Sequence, residues 1–397
     1  MKISIISYYF LETTLPLAKN LAIQGNDVTV YVLLPIKNRN APVIDYTKFQ
    51  VKYGFNDNLE LGKVDERLKQ YIGNVRVIPF FYNGGFTKKY HEDIAGSFKM
   101  RKRLLAENYD RIHLIGGTPF FVYLHALLGD KISVHTLHEV NAHEGKTGFW
   151  MRSLLNSLGK KPDTKIIVHS ETSRERLSEY YRAKNRNREN IFFIPFGLFE
   201  TYKLFDNKDV EEENNNILFW GRILPYKGLD VLLRAFVKTL KEIPDAKLVI
   251  AGDGETGIIS LKRENYELYN RLLSTGEIIE LNKRAAVIIC PYLSASQSGI
   301  PMTTFLFAKP IIASNVGGFK EMIEDGKTGI LVEKNNPEQL TEAIVNLLKN
   351  RKLRKQMNKN IIEKYEDDSS ELSWKKIAEK TMNIYGKGVY GSIFLYT

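Results

Sequence analysis

The chain is predicted to be an α/β protein with two doubly wound, Rossmann-like domains that face a central cleft. Three observations predict this class. Short apolar segments alternate with segments of helical periodicity, as in parallel sheets whose strands are joined by helices. This alternation stops between residues 200 and 215, where the chain is polar and charged. Finally, 397 residues of which 43% are hydrophobic are enough for two separate cores.

The first domain is predicted to span residues 1–205 and to open with a βαβ unit. A strand over Ile3–Ser7 is followed by Thr14 and Pro16, which are typical of a helix start. Gly25 caps the predicted helix, and a second strand covers Val28–Leu34. Later strands of the same parallel sheet are predicted at 75–80, 111–115, 132–137, 165–169 and 191–194.

The second domain is predicted to span residues 206–370 and to repeat this alternation. In chain order we predict a strand at 217–220, a helix at 228–243, strands at 247–251 and 287–290, a helix from 301, a strand at 310–313 and a helix after Asn336 and Pro337. Residues 371–397 are predicted to contain a last helix and a tail. Because the apolar stripe from Trp374 to Tyr385 must pack somewhere, we expect this helix to cross back to the first domain.

The segment from residue 216 to 228 is the most informative part of the chain. The apolar strand ends at Gly221, and Arg222 and Lys227 follow just before the helix that begins after Gly228. Ligands of open α/β sheets bind at the carboxyl ends of the strands. A helix N-terminus carries about half a positive charge, which two cations would complete as an anion site. The segment therefore favours a diphosphate site, and solvated cations on an ordinary loop are the alternative.

Composition limits the environment and the partners. The one cysteine, Cys290, lies in an apolar segment, so we expect a buried thiol and a reducing compartment. No segment has the roughly 18 to 20 apolar residues of a membrane span, and we predict a cytoplasmic protein. The net charge of +11 and basic segments such as Lys99–Arg103 favour the anionic inner face of a membrane, with a solvated surface as the alternative. No nucleic-acid reading element is present, so no nucleic-acid partner is expected.

Motifs recur along both halves of the chain. In the second half they lie at residues 221–222, 227–228, 248–254, 309–318, 321 and 325–329, and in the first half at residues 135–139, 168–171 and 194–197. In this order the motifs resemble those of the retaining glycosyltransferases of the GT-B fold, in particular glycosyltransferase family 4.

This resemblance implies a hexosyltransferase that uses a nucleotide-diphosphate sugar, with no metal or other cofactor. It implies three catalytic residues, of which Arg222 and Lys227 hold the diphosphate in the second domain and His138 lines the cleft near the donor sugar. The residues expected to bind the donor are Gly221, Gly254, Gln297, Ser298, Gly299 and Thr303. A zinc site built from His135, His138 and His143 is disfavoured by their irregular spacing.

The same resemblance places the acceptor on the first domain, with Glu139 and His143 as candidate contacts. It implies transfer to a lipid-linked or polysaccharide acceptor with retention at the anomeric carbon. We expect a role in cell-surface polysaccharide synthesis, peripheral to the inner face of the membrane.

The chain departs from the family in two places. Two glutamates eight positions apart are usual before the 309–318 motif, and here Ala295 and Thr303 occupy those positions. A family subgroup with a Gln-Ser-Gly signature resembles this arrangement and favours a variant site. Two alternatives stay open, a protein that binds nucleotide sugars without turnover and a nucleotide-sugar epimerase. The second departure is the first loop, Ser7–Glu12, which is bulky where the family often has Gly-Gly and would narrow the cleft.

Overall fold

The computed structural model describes residues 1–8, 10–36, 52–56, 65–82, 90–138, 140, 148–161, 163–186, 188–257, 262–295 and 298–386. Three residues expected in the site, Glu139, His143 and Gln297, lie outside these ranges. The tail after residue 386 also lies outside them.

The first sheet is built by the N-terminal half of the chain. Its strands are β1 (Lys2–Tyr8), β2 (Asp27–Pro35), β3 (Gly54–Phe55), β4 (Arg76–Tyr82), β5 (Arg111–Ile115), β6 (Val134–Leu137), β7 (Lys165–Val168) and β8 (Ile191–Phe193). In space the order is β3-β4-β2-β1-β5-β6-β7-β8. The short edge strand β3 runs antiparallel to β4, and the other described pairings are parallel.

Helices connect these strands and cover the sheet. They are α1 (Leu11–Ile23), α2 (Glu66–Ile72), α3 (Tyr90–Glu107), α4 (Pro119–Leu128), α5 (Phe149–Leu158) and α6 (Glu171–Arg182). Alternate residues of β1 enter opposite cores, since Ile3 and Ile5 pack with α1 and Ile6 packs with α3 and α4. Because both faces of the strand are buried, the sheet is covered on both sides, as a doubly wound fold requires.

The second sheet is parallel throughout its described pairings. Its strands are β9 (Asn216–Trp220), β10 (Lys247–Ala251), β11 (Tyr266–Tyr269), β12 (Val287–Cys290), β13 (Ile311–Ser314) and β14 (Gly329–Val332). The order is β11-β10-β9-β12-β13-β14. The helices are α7 (Leu229–Glu242), α8 (Thr275–Arg284), α9 (Ile300–Leu306), α10 (Phe319–Met322), α11 (Pro337–Lys349), α12 (Arg351–Tyr365) and α13 (Trp374–Gly386). The predicted α/β class with two parallel sheets is confirmed.

The predicted start of the first helix is wrong. Helix α1 begins at Leu11, and Pro16 lies inside it. A proline within a helix lacks the amide hydrogen of one helical bond. The buried positions Leu11, Leu15 and Ala18 nevertheless form one apolar stripe, so packing against the sheet overrides the local signal at Pro16.

Strands β11 and β14 and helices α8 and α12 are absent from the sequence prediction. The four residues of β11 are all half-buried, so this edge strand lacks the continuous apolar run that marks the central strands. By contrast, Cys290 is fully buried at the end of β12, as the sequence predicts. None of the described helices has both the length and the apolar character needed to cross a bilayer.

Helix α13 packs on the first sheet, although it follows the second sheet in sequence. Its residues Trp374, Ile377 and Tyr385 share one core with α1 and β1. The Trp374 indole donates a hydrogen bond to the Leu198 carbonyl oxygen at 2.7 Å. Helix α13 thus shares a core with the first sheet, while the predicted domain division stays a prediction.

The polar segment before β9 is held against the second sheet by ion pairs. The Glu212 carboxylate lies 2.6 Å from Lys309 Nζ and 3.4 Å from the Arg354 guanidinium. Arg354 is only 2% exposed and also donates to the carbonyl oxygens of Leu347 and Leu348. The charges that break the apolar pattern here therefore anchor the chain.

Buried histidines link the strands of the first sheet. His113 bonds the Tyr385 hydroxyl and the Thr136 hydroxyl, both at 2.7 Å. His135 bonds His125 at 2.7 Å and the Gly116 carbonyl oxygen at 2.6 Å. Burial lowers the pKa of His113 to about 3 and that of His135 to about 4. Both rings are therefore neutral at physiological pH.

These two histidines are expected to make the fold sensitive to acid. An unfolded histidine titrates near pH 6.5. Below that pH the unfolded state therefore binds more protons than the native state, in which both rings stay neutral. At pH 5 each of the two histidines should cost on the order of 2 kcal/mol of stability relative to pH 7.5. Urea unfolding at the two pH values, followed by tryptophan fluorescence, measures this difference.

Glu12 opposes this loss of stability at low pH. Burial raises the pKa of its carboxyl group to about 7, so the group takes up a proton as the pH falls and its burial then costs less free energy. The matched control is therefore the Glu12→Gln variant, which should lose more stability between pH 7.5 and pH 5 than the wild type. A free energy of unfolding that does not change between these pH values in that variant would contradict the assignment of neutral, buried histidines.

Candidate active site

A pocket of about 280 Å³ opens at the carboxyl ends of β9 and β12. Its wall also includes the segment that connects the two sheets. The lining residues are Phe199, Tyr202, Trp220, Gly221, Tyr226, Lys227, Tyr292, Ser298, Gly299, Ile300 and Thr303. The structure thus brings Gly221, Lys227, Ser298, Gly299 and Thr303 together in one pocket wall. These described lining residues include no carboxylate.

Glycine at position 221 creates the space for the Lys227 side chain. Gly221 has a φ of 97°, in the left-handed region that other residues rarely adopt. A Cβ atom at this position would lie 2.8 Å from Lys227 Nζ. The turn after β9 therefore lets the ammonium group lie against the backbone at the floor of the pocket.

Lys227 is held in place by the turn that precedes α7. Gly228 has a φ of 69°, and a Cβ there would lie 2.0 Å from the Pro291 carbonyl oxygen. This close backbone contact joins the ends of β9 and β12. The Lys227 ammonium lies over the Tyr292 ring, 5.1 Å from its centroid, which is a cation–π distance.

The Lys227 ammonium is a buried charge without a carboxylate partner among the described residues. The side chain is 8% exposed. Burial lowers its pKa to about 8, an effect that the charge of Arg222 increases and Cys290 opposes. A buried charge is costly unless it is paired. The pocket therefore holds a positive charge whose missing counter-ion an anionic ligand can supply.

Arg222 lies outside the pocket wall and is exposed. Its position is set by the next residue, because the Ile223 amide donates to the Asp253 carbonyl oxygen at 2.8 Å. The Arg222 charge still acts on Lys227. The two predicted cations thus differ, because Lys227 lies at the floor of the pocket and Arg222 is an exposed side chain next to the lining residue Gly221.

Gly254 supports the turn after β10 and does not line the pocket. It forms a parallel bridge with Ile223. A Cβ on Gly254 would lie 2.1 Å from the Ile223 carbonyl oxygen. The glycine is required here by the contact between two loops, and its expected role in donor binding stays a prediction.

The loop before α9 supplies hydroxyl groups to the pocket. The Ser298 hydroxyl accepts a hydrogen bond from the Ile300 amide at 3.3 Å. Thr303 is buried, and its hydroxyl lies 3.5 Å from the Gly299 carbonyl oxygen. Gly299 is expected from the sequence to admit a ligand, but a Cβ there would lie 2.6 Å from the Phe199 ring. The open side of this glycine is thus occupied by Phe199.

His138 is packed in the first domain and does not line the Lys227 pocket. Its ring centroid lies 3.7 Å from that of Phe10 and 5.0 Å from that of His169. It borders a separate cavity of about 20 Å³ beneath α13. Burial lowers the pKa of His138 well below its usual value, so the ring is neutral. The bulky first loop thus covers this histidine with Phe10, and its expected contact with a sugar stays a prediction.

Glu12 is a candidate group that the sequence prediction missed. It lies in the first turn of α1, and its charge acts on Tyr202 of the pocket wall. Burial raises the pKa of Glu12 to about 7, although a hydrogen bond from its own amide opposes this. The sequence signal that could have identified Glu12 is a carboxyl group in the first turn of the helix that follows β1. Its charge changes near neutral pH, at the place where the first domain meets the pocket wall.

Two family models match consecutive parts of the chain. The model described as Glycosyltransferase Family 4 matches residues 13–197. The model described as Glycosyl transferases group 1 matches residues 200–364. Together they include both sheets except the first strand, and the pocket residues from Tyr202 onward fall in the second match.

Relatives and a solved structure agree with these matches. The glycosyltransferase MJ1178 of Methanocaldococcus jannaschii is 29% identical over 307 residues, covering 74% of this chain and 80% of that protein. The D-inositol 3-phosphate glycosyltransferase of Corynebacterium diphtheriae is 28% identical, and the alignment covers 42% of this chain and 41% of that enzyme. HepE of Anabaena in complex with UDP-glucose has a TM-score of 0.63 at 14% identity, covering 96% of this chain and 99% of HepE. At this identity, the likeness to HepE shows a shared fold.

Replacing the buried cation is expected to stabilise the ligand-free protein. In Lys227→Met the uncompensated charge is removed, and since the pKa of Lys227 falls from 10.5 to about 8, the gain at pH 7 should be on the order of 3 kcal/mol. The gain should shrink as the pH rises from 8 to 10.5, because the wild-type lysine then loses its charge in both states. Thermal unfolding across this pH range measures it.

The exposed Lys241 of α7 provides the matched control. Lys241→Met should leave the unfolding temperature nearly unchanged. A Lys227→Met protein that is no more stable than the wild type at pH 7 would contradict the view of Lys227 as an uncompensated charge.

Proposed function

We propose that this chain transfers a sugar from a nucleotide-diphosphate donor to a lipid-linked or polysaccharide acceptor, with retention at the anomeric carbon. Glycosyltransferase family models match both halves of the chain, so it belongs to the glycosyltransferases with the GT-B fold. These are enzymes of the hexosyltransferase class. We place this reaction in cell-surface polysaccharide synthesis at the inner face of a membrane. The observation that carries the proposal is the buried Lys227 ammonium, which has no carboxylate partner among the residues that the structure describes and lies in a pocket at the carboxyl ends of the strands.

The donor diphosphate is the anion that this charge accommodates. In the proposed reaction the bond between the anomeric carbon and the diphosphate oxygen breaks while the acceptor hydroxyl attacks from the same face. The proton of that hydroxyl passes to the departing diphosphate. Lys227 at the floor and Arg222 at the edge stabilise the negative charge that develops on the leaving group. We expect the two cations to do this without a metal ion or other cofactor.

The sugar and ribose of the donor would meet a pocket without acidic side chains among its described lining residues. We propose that Ser298 and Thr303 bind these hydroxyls through neutral hydrogen bonds, together with Gln297. Neutral acceptors bind more weakly than carboxylates. This feature also favours a second candidate, a protein that binds nucleotide sugars without turnover. An epimerase of the same fold is the third, and it would convert a free nucleotide sugar without any acceptor.

A panel of nucleotide-diphosphate sugars distinguishes these functions. UDP-glucose is the first member of the panel, since HepE, which shares the fold, was solved in complex with it. Thermal stabilisation of the purified protein reports donor binding, and nucleotide release with and without membrane lipid extract reports transfer. A transferase gives lipid-dependent release, a binding protein gives stabilisation alone, and an epimerase gives a new nucleotide sugar. No stabilisation by any donor would overturn the proposed site.

Removing Arg222 is expected to impair catalysis more than it impairs folding. Because Arg222 is exposed and lies at the pocket edge, Arg222→Ala should keep the unfolding temperature, while the transfer rate should fall by about 100-fold or more through loss of leaving-group stabilisation. Steady-state transfer rates measure the effect. The control is Arg234→Ala on α7, where the arginine pairs with Asp230 at 3.4 Å. Equal rates for the wild type and Arg222→Ala would refute the role of Arg222.

We propose that α3 contributes to a membrane-facing surface. Ile94 and Phe98 are 38% and 54% exposed and lie four residues apart, so they share one face of the helix. The exposed cations Arg101 and Lys102 follow one turn later. Exposed apolar side chains beside cations are typical of helices that lie on anionic lipid surfaces.

This surface is expected to bind anionic vesicles. Wild-type protein should sediment with vesicles that contain phosphatidylserine and release from them in high salt, because each cation near the surface contributes about 1 kcal/mol. The double variant Arg101→Glu, Lys102→Glu should lose this binding, whereas Lys355→Glu on the exposed face of α12 should keep it. Equal binding of the double variant and the wild type would exclude this face.

A further inference from the structure

Glu321 of α10 connects the second domain to the first. Its carboxylate accepts a hydrogen bond from the Glu171 amide at 2.7 Å and one from the Thr172 amide at 3.1 Å. The Thr172 hydroxyl donates to the same carboxylate at 2.9 Å. Glu171 and Thr172 form the first turn of α6, a helix of the first sheet.

These bonds complete the cap of α6. The first amides of a helix have no partner within the helix. The Ser170 hydroxyl accepts a hydrogen bond from the Ser173 amide at 3.1 Å. The Glu321 carboxylate accepts from the amides of Glu171 and Thr172, which precede Ser173. The Glu171 side chain does not compete, because it pairs with Arg174 at 2.7 Å. A carboxylate at a helix N-terminus is also favoured by the helix dipole, so the second domain supplies a charged cap to a helix of the first.

On the second domain, α10 is packed against the proposed donor pocket. The neighbouring Phe319 ring lies 5.0 Å from the ring of Tyr292, which lines the pocket. The turn before α10 contains Gly317, with a φ of 52°, where a Cβ would lie 1.7 Å from the Ala295 carbonyl oxygen. Ala295 leads into the loop that carries Ser298. The residues beside Glu321 therefore contact two parts of the pocket wall or its supporting loop.

On the first domain, α6 starts where strand β7 ends. His169, which precedes the Ser170 cap, bonds the Ile194 carbonyl oxygen at 2.8 Å and stacks on His138. The cap thus joins the carboxyl edges of the two sheets, where the cleft lies.

We propose that Glu321 is a positioning residue, which sets the relative orientation of the two domains and so brings the donor beside Lys227 to the acceptor on the first domain. This inference rests on the proposed transferase function. Among the described residues, Glu321 is hydrogen-bonded to Glu171 and Thr172, and neither of these lines the pocket. Its loss should therefore leave donor affinity within about threefold, while kcat should fall by about tenfold, which corresponds to about 1.4 kcal/mol in the barrier.

The test compares Glu321→Ala and Glu321→Gln with Thr172→Val, which removes one of the three hydrogen bonds. Distances between the domains are measured by pulsed electron resonance with spin labels at Arg176→Cys on α6 and Lys355→Cys on α12. Both sites are exposed, and the native Cys290 is fully buried and should not label. We expect a broader distance distribution in Glu321→Ala and smaller broadening in the other two variants. Calorimetric titration with the donor and steady-state transfer rates complete the comparison.

The matched control is Glu324→Gln, since Glu324 pairs with Lys364 at 2.6 Å within the second domain. It should keep both the distance distribution and kcat. An unchanged distance distribution in Glu321→Ala would overturn the proposal, as would equal losses of kcat and donor affinity, which indicate general damage to the pocket. The distance measurement requires no turnover, so it tests the contact between the domains independently of activity. A wild-type protein without transferase activity would refute the proposed function, and the distance distributions would still decide whether Glu321 orients the domains.

Discussion

The site depends on close backbone contacts at the carboxyl edge of the second sheet. Gly252 would place a Cβ 2.0 Å from the Gly221 carbonyl oxygen, and Gly228 would place one 2.0 Å from that of Pro291. These glycines have positive φ values, which other side chains rarely adopt. Because the loops after β9, β10 and β12 pack backbone against backbone, they leave a pocket whose floor is the Lys227 ammonium. A side chain at any of these positions would separate the loops and move the cation.

The same packing creates a conflict between stability and binding. An ammonium that is buried beside aromatic rings and has no carboxylate partner within the described part of the chain is unfavourable for the ligand-free fold, and the lowered pKa of Lys227 reflects that cost. Such local conflicts are typical of functional sites, where a ligand completes the interaction. In the first sheet, by contrast, the buried His113 and His135 are satisfied by hydrogen bonds. Burial alone therefore does not distinguish a binding group.

Two contacts far apart in sequence join the halves of the chain. Helix α13 returns to the first sheet, where Tyr385 bonds His113 at 2.7 Å, and Glu321 caps α6 across the cleft. The first is a buried and largely apolar contact with α1 and β1. The second consists of three hydrogen bonds to one carboxylate, which a small rotation of a domain can break. A firm connection on one side and a directional one on the other would allow the cleft to move about a fixed helix.

The sequence by itself determined the architecture and located the glycine turn that carries Lys227. Periodicity located most strands, because a strand buried on both faces must be apolar along its length, and the order of Gly221, Lys227 and Gly228 is local. Tertiary structure alone decided that Lys227 is buried while Arg222 is exposed, that Phe10 stacks on His138, and that Phe199 fills the space beside Gly299. It also decided that Glu321 caps α6. Each of these depends on side chains from distant segments, and residue spacing carries no information about which distant groups meet.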